Sequence, residues 1–366
     1  MGEGLPNSMF SHFKKLDWSL IIIILLLNAS GLLAIKNTSE DLTNFYKQIL
    51  FIGLGLFLML FFSFLDYRIL KNNSLILIVL YLVCLFLLGG LFFWGREIRG
   101  AASWFKFGFL NFQPIELAKI IIILILAKYF SLRHIEMYRI RHIITSGVYV
   151  GLPTLLVLFQ PDLGSVVVLG SVWLGIMLMA GIKMRHLIIL TLIAAVLITS
   201  SWFWLLKDYQ KQRILTFINP GTDPYGSGYN LVQSLIAIGS GGLFGRGLGQ
   251  GSQSQLKFLP EHQTDFIFAA IAEQGGLVGV VFLLTLFAFL FWRIIRIALS
   301  SLNNFSRLFA VGLVIMLFSQ TIINIGMNMG VLPITGLTLP LVSYGGSSLL
   351  TIFLGLGILQ SIKARS

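Results

Sequence analysis

The stretch FLPEHQTDFIFA, Phe258 to Ala269, sets three groups able to hold or move a proton, Glu261, His262 and Asp265, at the mouth of a strongly apolar run. Two readings of Asp265 stand side by side. Burial beside a second carboxylate makes an Asp a better proton acceptor, suited to general-base work on a reacting hydroxyl. The simpler alternative is that Asp265 caps a helix beginning at Phe266. One residue can serve both purposes.

Other polar groups interrupt apolar runs. In QPIELAK, Glu116 and Lys119 stand three residues apart, on one helical face and close enough to pair. An ionisable pair inside a span either lines a cavity on a functional path or merely fixes helix packing. Gln320, Asn324 and Asn328 recur every fourth residue and form one polar stripe, which serves a site or bonds to a neighbouring helix. Asp162, in FQPDLGS, follows Pro161 at a tight turn, where it caps the next helix or joins the site. Arg96, Arg99, Arg246 and Lys257 supply cations that either meet an anionic headgroup or remain solvated surface charges. GSGGLFGRGLGQG, Gly239 to Gly251, has the small residues of a phosphate cradle. It fits neither the Walker pattern nor G-x-G-x-x-G, however, so a hinge or close helix approach is the stronger reading.

The elements that position these groups follow from composition. The chain has 366 residues, 57% of them hydrophobic and 11% charged, against about 25% charged in an average soluble domain. Mean hydropathy is +0.90. Recurrent continuous runs of nearly 20 apolar residues predict an all-α polytopic membrane protein, since a barrel would show shorter alternating segments. Ten spans fit: Trp18 to Ile35, Ile49 to Leu65, Leu75 to Phe93, Ile115 to Phe130, Ile143 to Phe159, Leu163 to Gly181, Leu187 to Leu206, Gly276 to Ile297, Leu308 to Asn328 and Ser347 to Ile362. The eighth has scope to begin before Gly276. The first reads as an anchor that is retained, because no convincing small-x-small cleavage site follows it.

This count puts most short basic segments on one side, so the positive-inside rule makes both termini cytoplasmic. The net charge of +12 is then a matter of topology and anionic lipid, and nucleic-acid binding is not expected. The expected organisation is one integral membrane domain over 1–366, with a large outer loop at 207–264 between the seventh and eighth spans. Within that loop, Leu231 to Phe244 is apolar but too short to span, and predicts an interfacial or re-entrant helix. Gly330 to Ser348, broken by Pro and Gly, is a second re-entrant candidate. Cys84 is the only cysteine, which excludes an intrachain disulfide. With five histidines in the chain and only His262 on the outer side, a His-rich zinc site is not expected either. A hard divalent cation, Mg2+ or Mn2+, held by one or two carboxylates and substrate phosphates is permitted. No organic cofactor is expected.

Taken together, GSGGLFGRGLGQGSQSQLKFLPEHQTDFIFAAIAEQGG, LPITGLTLPLVSYGGSS, QPIELAK and FQPDLGS resemble the SEDS family (shape, elongation, division, sporulation) of bacterial cell-wall synthesis. The likeness runs from the first span to the last, and the SQS and QLKFLPE wording is nearest to its elongation branch, with the division branch as alternative. The resemblance implies a peptidoglycan glycosyltransferase that polymerises lipid II at the outer face of the bacterial cytoplasmic membrane. It also implies a class B penicillin-binding protein as partner, among other membrane proteins of the elongation complex. The family's catalytic aspartate falls on Asp265, its cavity acid and lysine on Glu116 and Lys119, and its outer-turn aspartate on Asp162. Glu261, His262, Arg99, Arg246, Gln320, Asn324 and Ser343 complete the expected substrate-facing set. Ser103 precedes Trp104 where many members carry a base, so Arg96 or Arg99 is left to take that place. Two other classes compete with the enzyme: a lipid II flippase or transporter, and a non-catalytic scaffold for the wall-synthesis enzymes.

Overall fold

The computed structural model describes residues 12–38, 41–98, 101–107, 110–132, 140–204, 208–219, 227–256 and 258–365. Arg99, Lys257, the side chain of Arg96 and the Pro- and Gly-rich stretch at 220–226 lie outside the described residues.

Without water to satisfy backbone N–H and C=O groups, apolar runs of this length bond internally as helices. All ten expected spans are helical. They are α1 (Trp18–Asn37), α2 (Thr43–Phe64), α4 (Ser74–Trp94), α5 (Pro114–Ser131), α6 (Ile140–Phe159), α7 (Leu163–Met179), α8 (Met184–Trp204), α12 (Ile267–Ser300), α13 (Asn304–Asn328) and α14 (Gly346–Ala364), with a short α3 (Arg68–Asn72) between the second and third. Eight are long and apolar enough to cross a membrane. The other two differ for legible reasons: α7 has 17 residues, and α5 carries Glu116, Lys119 and Lys128. Short polar side chains start three of the helices, with Asp17, Asp162 and Asn303 each accepting a backbone N–H three residues on.

The connection at 94–114 forms a small antiparallel sheet of β1 (Arg96–Ile98), β2 (Ala101–Phe107) and β3 (Leu110–Phe112). Its exit is tied to the start of α14, where the Gln113 N–H donates to Ser347 Oγ at 3.1 Å. The long connection before the eighth span is also more ordered than its sequence implies. It contains α9 (Asp208–Ile218), α10 (Ser227–Gly241) and the single turn α11 (Ser252–Gln255). Helix α10 is the expected apolar segment; its 15 residues extend about 22 Å, short of a bilayer core.

Lipid tails are as apolar as leucine, so helices here associate through close packing and interhelical hydrogen bonds. Helix α5 is buried all round, among α4, α7, α13 and α14. Helix α14 packs most extensively on α2. The irregular stretch between α13 and α14 runs through protein, with Leu337, Leu339, Leu341 and Val342 buried. Its carbonyl at Val342 comes so close to Gly31 that a β-carbon there would collide with it. Helix α8 contrasts with all of these: only 6% of its apolar window is buried.

The eighth span does begin before Gly276, as α12, and it breaks at that glycine (φ 62°, ψ −160°). The glycine-rich stretch docks into the break. Arg246 and Gly247 donate their N–H groups to Glu273 and Gln274 carbonyls at 3.0 and 3.2 Å, while Leu277 and Val278 donate back to Gly242 and Leu243 at 2.9 and 3.1 Å. Any side chain at Gly245 or Gly276 would strike the opposing backbone. Close approach is therefore the reason for these glycines. The amides a phosphate cradle would need at Gly245, Arg246 and Gly247 are already bonded within the fold.

Candidate active site

Asp265 closes the turn at 261–266 that leads into α12, and it is half-buried. The helix starts at Ile267 with Phe266, rather than Asp265, at its N-cap position, and the Phe266 side chain supplies no cap. A residue from another helix does that work. Asn328 accepts the Ala269 N–H at Oδ1, 3.2 Å away, and satisfies one of the orphan donors of the first turn.

The polar stripe on α13 has a specific target. Asn324 and Asn328 both donate from Nδ2 to the backbone carbonyl of Asp265, at 2.9 and 3.0 Å. Asn324 also donates to Leu337 O at 2.7 Å, which ties in the irregular stretch before α14. That stretch grips the residues just upstream of Asp265. Ser343 Oγ donates to Thr264 O at 2.6 Å, and the Tyr344 N–H donates to Gln263 O at 2.8 Å. Gln263 Oε1 in turn accepts from Asn44 of α2 at 2.7 Å. Three consecutive carbonyls, at 263, 264 and 265, are thus fixed from outside their own segment. Gln320 is buried one turn further along the stripe, and its Oε1 meets no partner among the described residues.

Glu261 and His262 share the turn with Asp265. Glu261 adopts left-handed backbone (φ 56°), a conformation a non-glycine residue holds only when its surroundings enforce it. Its carboxylate accepts from the Thr264 hydroxyl at 2.9 Å. His262 Nδ1 donates to Leu259 O at 3.0 Å, and its Nε2 is buried and meets no partner among the described residues. Leu341, in the gripping stretch, is a second left-handed residue (φ 63°). Glu261 and Leu341 both lie in the segments that frame Asp265.

The expected pair on α5 forms, with Lys119 Nζ 2.7 Å from Glu116 Oε1. Its setting differs from the expectation of a wet cavity: Lys119 is fully buried and the Glu116 side chain is 7% exposed. In this conformation the pair is closed off from solvent. Asp162, the cap of α7, feels both charges. Burial pushes its carboxyl above the usual range, Ser165 N–H at 3.0 Å and Oγ at 2.7 Å act against that, Lys119 also lowers it and Glu116 raises it. Arg246 is exposed and turns its Nε back to Ser240 O at 3.3 Å, so it closes the glycine-rich turn.

One functional-looking residue escaped the sequence reading. Glu273 on α12 is completely buried and accepts the N–H groups of Gln253 and Ser254 at 2.8 and 3.1 Å, which anchors α11 against the helix break. The signal was present as a lone acid in the apolar run AAIAEQGG. Among the described residues no group of three or more His, Cys, Asp or Glu side chains is placed to hold a metal.

A bundle of ten apolar helices, broken backbone buried at depth and a half-buried carboxylate at the head of a kinked helix define a polytopic integral membrane protein with a candidate site at one end. The chain belongs to the cell cycle protein family of FtsW, RodA and SpoVE, which matches residues 11–366. It is 39% identical over 363 residues to the peptidoglycan glycosyltransferase MrdB of Escherichia coli, covering 99% of this chain and 97% of that one. It is 38% identical over 365 residues to stage V sporulation protein E of Bacillus subtilis, covering 96% and 97%. Among solved structures it superposes on a chain of a peptidoglycan synthase complex that coordinates polymerization and crosslinking, with TM-score 0.83, 34% identity and coverage of 96% and 98%. It also superposes on the rod shape determining protein RodA of Thermus thermophilus, with TM-score 0.69, 32% identity and coverage of 95% and 96%.

Proposed function

We infer that this protein is a peptidoglycan glycosyltransferase that polymerises lipid II at the outer face of the bacterial cytoplasmic membrane, with Asp265 as general base. Family membership and the activity of its relatives support the reaction class. The observation that carries the residue assignment is the grip on Asp265: three side chains and a backbone amide hold carbonyls 263 to 265. A base works best when its position is fixed by groups other than the one that takes the proton.

In the step proposed, a sugar hydroxyl of one lipid-linked saccharide attacks the anomeric carbon of another. The new C–O bond forms, the bond from that carbon to the lipid pyrophosphate breaks, the pyrophosphate leaves with the electron pair and Asp265 takes the hydroxyl proton. Among the described residues no three ligating side chains gather as a cage, so a Mg2+ or Mn2+ ion would be shared between one or two carboxylates and the substrate phosphates, where it would stabilise charge on the leaving group. Glu116, Lys119 and Asp162 act one layer behind, as a buried electrostatic support. Arg246, and Arg99 outside the described residues, are the cations assigned to the headgroup. The lipid tail stays in the bilayer, and the loosely held α8 is the natural side for its lateral access. A class B penicillin-binding protein that crosslinks the product is the proposed partner, consistent with the polymerising and crosslinking complex that this chain resembles.

The deciding experiment is glycan synthesis from lipid II by purified protein, with and without a class B partner and a chelator of divalent ions. Wild type is expected to form strands, and Asp265→Asn to bind the partner but form none. Normal polymerisation by that variant would remove the assigned base. Movement of lipid II between leaflets without polymerisation by wild type would favour transport, and neither activity would favour a scaffold.

A further inference from the structure

The end of the molecule opposite Asp265, where the described N- and C-terminal segments meet, carries a cleft of about 680 Å3 that the glycosyl transfer does not use. Five cations converge on it from three separate segments: Lys14 and Lys15 ahead of α1, Arg293 on α12, and Lys363 and Arg365 at the end of α14. One carboxylate, Asp17, faces them. That carboxylate is already committed, since both its oxygens take Arg293 Nε, at 2.9 and 2.7 Å, and one also caps α1. Gln360 clamps the Asp17 backbone from both sides, N–H to Oε1 at 2.9 Å and O to Nε2 at 3.1 Å, so the wall of the cleft is built rather than accidental.

The five cations are not equivalent. Arg365 is held by Ser63, Phe64 and Ser361, with Asp66 3.8 Å away, and serves as a fixed wall. Lys14, Lys15 and Lys363 form no hydrogen bond or ion pair among the described residues, and the described bonds of Arg293 use only its Nε. Like charges gathered this way repel one another unless an anion sits among them. Depth in the membrane identifies the anion. Trp18 opens the first span and is 51% exposed, the placement of an interfacial aromatic anchor, and Ile22 one turn deeper is 55% exposed. The cleft therefore lies at headgroup level beside a surface that acyl chains cover. Basic pockets between membrane helices at such a level take phosphate headgroups.

We propose that this cleft is a binding site for the phosphate of an anionic phospholipid headgroup, coordinated by Lys14, Lys15, Lys363 and the free face of Arg293. A soluble phosphate shares that chemistry but lacks the acyl chains that would lie along α1.

The test uses the full chain in zwitterionic detergent, with bound lipid counted by native mass spectrometry after exposure to equal amounts of phosphatidylglycerol and phosphatidylcholine. Wild type is expected to retain phosphatidylglycerol selectively. Lys14→Gln, Lys15→Gln and Lys363→Gln together should weaken that retention by at least about tenfold. The equal-charge control Lys71→Gln, Lys183→Gln and Arg185→Gln should keep it. All three proteins should melt alike in phosphatidylcholine, which excludes misfolding as the cause. Equal loss in the control, or undiminished retention in the triple variant, would overturn the site. Inorganic pyrophosphate that displaces the lipid from wild type at matched phosphate concentration would assign the cleft to a soluble ligand and overturn the lipid source.

Discussion

The turn at Asp265 and the pair on α5 are both carboxylate sites in a membrane protein, and they are built on opposite principles. At the turn, the fold spends these hydrogen bonds on backbone carbonyls and leaves Asp265 partly exposed. On α5 the side chains bond to each other and are sealed, with Lys119 entirely out of contact with solvent. A group meant to exchange a proton needs a fixed frame and an open head. A group meant to shape a field can be closed, because in a low-dielectric interior its charge is felt without contact. The Asp162 carboxyl, raised chiefly by burial, is pulled down by Lys119 and up by Glu116.

If this contrast is right, the two regions fail differently. Asp265→Asn should lower glycan synthesis about 10²–10⁴-fold with little change in melting temperature. A drop in stability of similar severity would put Asp265 with the structural group. Lys119→Met should do the reverse and first cost stability, about 3–5 kcal/mol, because it strands Glu116 in a dry site. Adding Glu116→Gln should recover much of that, and strictly additive losses in the double-mutant cycle would refute the coupling.

A smaller effect is expected at Asn328→Ala, which removes both the cap on Ala269 and one donor to the Asp265 carbonyl. It should cost about 1–3 kcal/mol in denaturant melts and slow turnover without changing which pH supports it. A shifted pH profile would mean that Asn328 acts on the Asp265 side chain instead. The smallest effect belongs to Asp162→Asn, which keeps a capping side chain. Because the folded-state carboxyl of Asp162 is raised, its contribution to stability falls as pH climbs from the ordinary Asp range through the raised value. The variant should thus gain on wild type in melts near neutral pH relative to acidic pH; a constant difference would refute the shift.

Much of this was legible beforehand. Span number and placement come from hydropathy, since a bilayer demands about 20 apolar residues and internal hydrogen bonds, and that demand is local to each run. Glu116 with Lys119 followed from helical spacing, and the early start of α12 from the weak break at Gly276. The sheet at 96–112 was not foreseen. Its strands are short and lack a hydrophobic alternation strong enough to stand out beside the spans. Glu273 was overlooked because its partners, Gln253 and Ser254, are supplied by a turn twenty residues away that only the folded chain brings near.

Sequence alone determined that the chain crosses a membrane, which residues are costly to bury there, and which family it belongs to, because each depends on composition or on neighbours within a few residues. Tertiary structure alone decided what those residues touch. The stripe on α13 could have faced any helix until folding aimed Asn324 and Asn328 at one carbonyl, and the glycines of 239–251 resembled an anion cradle until α12 took up their amides. Periodicity tells which face a side chain occupies, but a hydrogen-bond partner is set by contacts between distant segments, and those exist only once the helices have packed.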